Sequence, residues 1–284
     1  FPSPKHTVDF GASNTYYVFS PGKITGAFDI TLSQEWATEP AAYVSHTWKA
    51  TNAFSVTSGL RYSAFGNMGP RTVTLYEPGG IYEDTTVVGT RSYARGEAIR
   101  WFTGLGGLEP RFSANYEISE NASLKASYNR NRQYIHLISN NTSPTPVNVW
   151  RPAGAYIEPA TANQVALGYV QKVARGAGVL TIETYYKDLQ NIVDYKDGAD
   201  LVFKDNIETE LLSGQGRAYG LEVLLEKKTG KLNGWIAYTL SRTELQVDGP
   251  TRGTSVNNGE WYLANYNKLH DLNVVANYAP SKQW

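Results

Sequence analysis

From Arg217 to Glu244 the chain alternates apolar and polar residues with a period of two, broken once by a turn. In Arg217–Lys228, Tyr219, Leu221, Val223 and Leu225 interleave with Ala218, Gly220, Glu222, Leu224 and Glu226. After Thr229-Gly230-Lys231, Leu232, Ile236, Tyr238 and Leu240 alternate with Asn233, Trp235, Ala237, Thr239, Ser241 and Thr243. Successive side chains of a strand point to opposite faces, so the pattern predicts a hairpin with one apolar and one polar face. Five such units follow one another along the chain. A sheet with a greasy face and a wet face over most of its length is the pattern of a barrel wall between lipid and a polar interior.

Read this way, the chain holds ten strands: about Lys5–Val18, Ala37–Ala50, Phe54–Phe65, Leu108–Ile118, Ser123–Arg132, Gln164–Lys172, Val179–Val193, the two of the hairpin above, and Leu269–Ala279. The second is the least regular, because His46 falls on its apolar face. Connections alternate in length. Thr51–Ala53, Ser119–Asn121, Ala174–Ala177, Thr229–Lys231 and Pro280–Gln283 are short, whereas Ser20–Trp36, Gly66–Gly107, Gln133–Asn163, Asp194–Gly216 and Leu245–Lys268 are long, irregular loops. Short turns on one rim and long loops on the other are the layout of an outer-membrane barrel. The strands reach the about 9–11 residues that a tilted spanning strand needs, against about 5–6 for ordinary soluble strands. Asn206–Ser213 carries the pattern of one brief helical turn. The fold class is therefore all-β: an antiparallel up-and-down transmembrane β-barrel, with a soluble sandwich or propeller as the alternative that would also alternate.

Composition agrees with this reading. The 20 tyrosines and 7 tryptophans suit strands and the lipid–water boundary. The absence of cysteine excludes disulfides and thiolate metal sites. Zero net charge offers no electrostatic platform for nucleic acid. No segment approaches the roughly 20 apolar residues of a spanning helix, and Phe1-Pro2-Ser3-Pro4 does not read as a signal peptide. Negative mean hydropathy is compatible with a membrane barrel, in which only alternate strand residues meet lipid.

Motifs for chemistry fail. His6, His46, His136 and His270 are scattered, without metal-ligand spacing. Gly214, Gly216 and Gly220 miss the dinucleotide-loop spacing and lead into a strand, and Gly230-Lys231 lacks the flanks of a phosphate loop. Asn121-Ala-Ser123 and Asn140-Asn-Thr142 match the glycosylation sequon, which the family resemblance described next discounts. No cofactor or metal is expected.

Several segments resemble the barrel domain of TonB-dependent outer-membrane receptors of the Bacteroidetes type. They are EPRFSANYEI (Glu109–Ile118), LKASYNRNRQYIHLIS (Leu124–Ser139), ETYYKDLQNIVDYKDGADL (Glu183–Leu201), GRAYGLEVLLEKKTGKLNGWIAYTLSRTE (Gly216–Glu244) and NKLHDLNVVANY (Asn267–Tyr278). The resemblance covers about Gln34 to the C-terminus. Such barrels have about 22 strands and a plugged lumen, so it implies that residues 1–284 are an internal part of a larger barrel. The family's plug domain and TonB box have no counterpart here, and Trp284 reads as the start of a further strand.

The resemblance implies an outer-membrane receptor and transporter, without enzymatic activity, for TonB-driven import of a scarce nutrient such as a siderophore, oligosaccharide or peptide. It implies as partners the TonB complex reached through the plug, the plug itself, outer-membrane lipid and the nutrient. It also admits a surface lipoprotein, which no residue of the chain reports. Ligand would bind in the extracellular loops, where Trp150, Arg151, Tyr156, Asn257, Asn258, Trp261 and Tyr262 offer aromatic faces, amides and a guanidinium. Loop packing is the commoner use of such aromatics. Alternation turns Arg61, Glu109, Arg111, Glu183, Lys187 and Glu222 into the lumen, as plug contacts, a ligand path or a cross-strand charge ladder. A soluble β-sheet binding module is one alternative function, and a self-contained ten-stranded outer-membrane barrel acting as a surface hydrolase is the enzyme-class alternative. The hydrolase needs a rim cluster of acids with a histidine, and none is evident.

Overall fold

The computed structural model describes residues 3–20, 23–24, 30–31, 34–79, 82–100, 105–138, 149–196, 199, 206–249 and 252–280. Trp284 lies outside them. Ten long strands form the wall: β1 (His6–Phe19), β2 (Glu35–Lys49), β3 (Phe54–Ser63), β4 (Gly107–Ser119), β5 (Ala122–Gln133), β6 (Ala160–Val173), β7 (Gly178–Tyr195), β8 (Leu211–Lys227), β9 (Leu232–Gln246) and β10 (His270–Tyr278). Each pairs antiparallel with its neighbour in sequence, from β1 across to β10. No α-helix occurs among the described residues; the predicted helical turn is a single 3-10 turn, Ile207–Thr209, feeding β8. Among the described residues β1 pairs only with β2, and β10 only with β9, so the ten strands form an open wall.

The short turns lie on one rim. Thr51 closes the β2–β3 turn, its Oγ1 accepting from the backbone N–H of Ala53 and Phe54 at 3.2 and 2.9 Å. The β8–β9 turn needs Gly230, whose φ of +99° is open to glycine and costly for a residue with a Cβ. The long loops are less irregular than their sequences suggest. That after β3 contains the hairpin 71–76/87–93, and its strand 66–68 continues the wall beside β2. That after β5 contains the hairpin 135–138/149–152. Both corrections follow from short β-branched runs such as Thr72-Val73-Thr74-Leu75, whose alternation is too brief to span a membrane but long enough to pair.

The ladder fixes which residues share a face. On the apolar face Tyr128, Val165, Tyr186 and Tyr219 form one cross-strand row. Leu167, Thr184, Leu221 and Leu240 form the next, and Tyr169, Ile182, Val223, Tyr238 and Leu272 the one after. Among the described residues nothing covers this face: Phe10 is 80% exposed, Leu272 63% and Leu167 54%. A continuous uncovered apolar sheet is disfavoured in water and suited to lipid. His46 sits on this face opposite Val8. It stacks on His6 at 5.2 Å, joined by a 3.0 Å ring hydrogen bond, and Trp48 follows in the same stack. The irregular pattern of the second strand is thus an aromatic patch at the short-turn rim.

In β7 a bulge at Asn191, with φ +56°, shifts the register between Gln190 and Ile192. Below the bulge even-numbered residues share the apolar face; above it Asp194 falls opposite Leu212, on the other face. A small core caps the polar face near the long-loop rim. Ala37, Phe65, Leu105, Tyr134 and Ala153 are buried there, with Tyr17 and Phe19 packed against them. Phe65 stacks on Tyr134 at 5.0 Å. The sequence pattern extends the third strand to Phe65, but the strand ends at Ser63; Phe65, of the same parity as Arg61 and Ser63, is fully buried on the polar side. Burying such a ring contributes about 1.5–3 kcal/mol.

The two faces make opposite demands on charge. Leu167→Arg, on the uncovered apolar face, is expected to cost ~2–4 kcal/mol in urea unfolding from bilayers. Ser127→Arg, on the polar face, is expected to cost under about 1 kcal/mol. Equal penalties would contradict the assignment of faces.

Candidate functional site

Three long loops converge over the polar face at the start of β2 and enclose a cavity of about 490 Å³, within the usual range for ligand sites. The wall supplies Glu35. The loop after β3 supplies Asn67 and Arg71–Thr74, the loop after β5 supplies Arg151–Ile157, and the loop after β7 supplies Asn206–Glu208.

Glu35 is the centre of the arrangement. It is 3% exposed and accepts from two guanidinium groups, Arg71 Nη1 at 2.7 Å and Arg151 Nη1. Arg151 is 7% exposed, and its Nε has no acceptor among the described residues. Breaking one side of a buried pair of this kind is costly, because it strands the remaining charge. Further contacts tie the loops together. Thr74 Oγ1 donates to Asn206 Oδ1 at 2.8 Å, Tyr76 donates to Glu208 at 3.1 Å, and Tyr156 donates to the Thr74 carbonyl. The Tyr76, Tyr82 and Tyr156 rings meet at 4.7–5.3 Å. Burial, and then the Glu208 carboxylate, push the phenols of Tyr76 and Tyr156 above their usual range, so both remain neutral donors. Gly69 permits the close approach of 69 and 93–94: a Cβ there would lie 2.5 Å from the Ala94 carbonyl oxygen.

The predicted loop residues divide into two groups. Arg151 and Tyr156 line the cavity. Trp150, next to Arg151 in its hairpin, pairs with Leu137 and is 54% exposed, outside the cavity. Asn257, Asn258, Trp261 and Tyr262 lie instead in the loop after β9. Asn257 and Asn258 form a tight turn with φ of 50° and 56°, a left-handed geometry that asparagine tolerates. Trp261 lies under the Arg217 guanidinium at 4.2 Å, and Tyr262 donates to Asp194. Burial, and then that hydrogen bond, raise the Tyr262 phenol well above its usual range. Glu35, Arg71 and Glu208 were not candidates from sequence, since nothing local marks which loop carboxylate becomes buried.

The six residues expected in the lumen all lie on the polar face. Arg61 and Glu109 are direct cross-strand partners, 3.6 Å apart, with Glu39 at 3.5 Å from Arg61 and Arg111 at 4.0 Å from Glu109. Ser63 donates to Glu109 and shares a 2.7 Å hydrogen bond with Tyr134, which links this ladder to the core below the cavity. Glu183 and Glu222 face each other across β7 and β8, and Lys187 lies over the Tyr185 ring at 5.2 Å. Among the described residues no group of three or more histidines and acids could hold a metal ion.

Two measurements test the site's construction. Glu35→Gln is expected to destabilise the loop cap by about 3–5 kcal/mol, seen as protease cleavage in 66–100 under conditions that spare the wild type. Undiminished protection would show that Glu35 is not the tie. His136, opposite Arg151 and buried, is held below the ordinary imidazole range by desolvation, partly opposed by the Glu158 backbone. The fold therefore favours its neutral form. Its contribution is complete above the unfolded pKa of about 6.5 and is lost as pH falls through the lower folded value. Acidification should speed amide exchange in 135–138 and leave the β8–β9 ladder unchanged; uniform acceleration would assign the effect elsewhere.

Comparison with known proteins agrees with this architecture. The family model for TonB dependent receptor-like β-barrels matches residues 5–283. Among solved structures, the ferric-catecholate import receptor Fiu from E. coli K12 superposes with a TM-score of 0.62 at 16% identity, over 98% of this chain and 40% of that one. The FrpB iron transporter from Neisseria meningitidis (F5-1 variant) gives 0.56 at 13%, over 90% and 36%. The ferric yersiniabactin uptake receptor FyuA from Yersinia pestis gives 0.51 at 13%, over 91% and 35%. At these identities the likeness is one of fold, and this chain spans two fifths or less of each structure's length. Comparison with curated protein sequences finds no significant match. With its alternating strands, its two-faced wall and a family match from residue 5 to residue 283, the chain belongs to the TonB dependent receptor-like β-barrel family.

Proposed function

We propose that this chain is part of the wall of an outer-membrane receptor of a Gram-negative bacterium, which imports a scarce nutrient with energy delivered through TonB. The observation that carries the reading is the cavity. It lies on the polar face, at the long-loop rim, and is assembled from three long loops and Glu35 of the wall. In the proposed scheme ligand enters between the loops and is held by Arg71, Arg151, Asn67, Asn206 and Tyr156. It then passes down the face bearing Arg61, Glu109, Arg111, Lys187, Glu183 and Glu222, against which the receptor's plug would rest. The barrel performs no bond chemistry. Residues 1–284 would then be about ten strands of a barrel of about 22, and a surface lipoprotein is a further partner. The Bacteroidetes type is supported by the five sequence segments quoted above.

Ligand chemistry is bounded by the cavity's charge. Glu35 and Glu208 balance Arg71 and Arg151 among the described lining residues, so a polar ligand with modest charge fits better than a strongly anionic one. The iron complexes handled by the structural neighbours, a neutral oligosaccharide and a short peptide are the classes to compare.

The test is accumulation of each labelled probe by cells that carry the receptor, with and without TonB: a ferric catecholate, a maltodextrin and a tripeptide. One class should accumulate only when TonB is present. Arg71→Gln leaves the Glu35–Arg151 pair in place and should weaken binding of that probe about tenfold, ~1.4 kcal/mol. Uptake of every probe that is indifferent to TonB would sink the reading.

A further inference from the structure

A second Arg–Glu–Arg cluster lies outside the cavity, on the opposite face of the wall. Arg217, Arg242 and Glu244 all project from the apolar face of β8 and β9: Arg217 is in register with Glu244, and Arg242 with Tyr219. Glu244 binds both cations. Its Oε2 accepts from Arg217 Nε and its Oε1 lies against Arg242 Nη2, each at 2.7 Å. The carboxylate is 6% exposed, whereas the two arginine side chains are 36% and 49% exposed. The anion is therefore beneath and the cations are on the surface. Each guanidinium has five N–H donors and spends few of them here. Trp261 supports Arg217 from the other side at 4.2 Å.

The height of the cluster matters as much as its charge. Arg242 continues the row of Tyr186 and Tyr219, whose rings stack at 6.3 Å. Below that row come Leu221 and Leu240, then Val223 and Tyr238. Above it the same face turns polar, through Asn163, Asp188 and Arg217 in register. Arg130 stands at the far end of that polar row, opposite Asn163, with a buried Nε that meets no acceptor among the described residues. Tyrosines mark the lipid–water boundary, so the arginines are at headgroup level on the long-loop side.

We propose that Arg217 and Arg242, held apart and aimed outward by the buried Glu244, form a binding site for the phosphate of an anionic lipid headgroup in the outer leaflet. Planar guanidinium forks match phosphate oxygens, and a basic side chain near a membrane surface contributes about fivefold in affinity for anionic lipid. The proposal rests on the reading of this face as lipid-facing.

The experiment uses the protein purified in nonionic detergent. Native mass spectrometry follows retention of phosphatidylglycerol, phosphatidylcholine and, separately, inorganic phosphate. The wild type should retain phosphatidylglycerol in preference to phosphatidylcholine. Arg242→Gln, which leaves the Arg217–Glu244 pair intact, should lower that preference about fivefold, with rescue by Arg242→Lys. An Arg242→Gln protein that keeps the wild-type preference overturns the proposal. So does phosphate binding with the same Arg242 dependence and no lipid preference, which would make this a site for a soluble anion. Failure to retain either lipid would instead overturn the lipid-facing reading beneath the proposal.

Discussion

Hydrocarbon gives a backbone no hydrogen-bond partners, so every N–H and C=O of a spanning strand must be satisfied by another strand. The rest of this structure depends on that constraint. It forces ten consecutive strands into one ladder, and the ladder in turn fixes the face of every side chain. Tyr186 is outside because Tyr219 and Val165 are its register partners; Glu183 is inside because Glu222 and Gly168 are. Side-chain chemistry then has little freedom: apolar residues in one parity, polar residues in the other.

The loops obey different physics. Above the bilayer they have water, and their arrangement is set by a few strong ties instead of a continuous ladder. Glu35 joins the wall to two loops through Arg71 and Arg151, and Phe65 and Tyr134 fill the space beneath. The same three-residue device recurs at Glu244, where it faces the other way. In both places one buried carboxylate fixes the positions of two cations: at Glu244 both cations are the more exposed partners, whereas at Glu35 one of them, Arg151, is buried with it.

This division explains what the sequence made legible. Strand faces were readable because period two is a local signal, repeated in Leu221, Glu222, Val223 and again in every hairpin. Arg151 and Tyr156 could be singled out by residue type alone. Glu35 and Glu208 could not, since their partners Arg151 and Tyr76 are 116 and 132 positions away, and no local pattern reports closure over such distances. Asn257 and Asn258 lie apart from the cavity, in a left-handed turn that their residue type tolerates and their sequence alone does not announce. Trp150 follows from alternation: beside a residue that faces the cavity, a strand neighbour faces away.

The bulge at Asn191 marks the boundary between these two regimes. Everything below it keeps the parity that lipid demands, while everything above has been moved by one residue. A receptor lineage can therefore gain or lose a single codon at this level and reassign each rim side chain of β7, while the stretch that inserts into the bilayer is untouched. Changes at the rim and the constraints on the paired stretch below it then act on separate parts of the same strand.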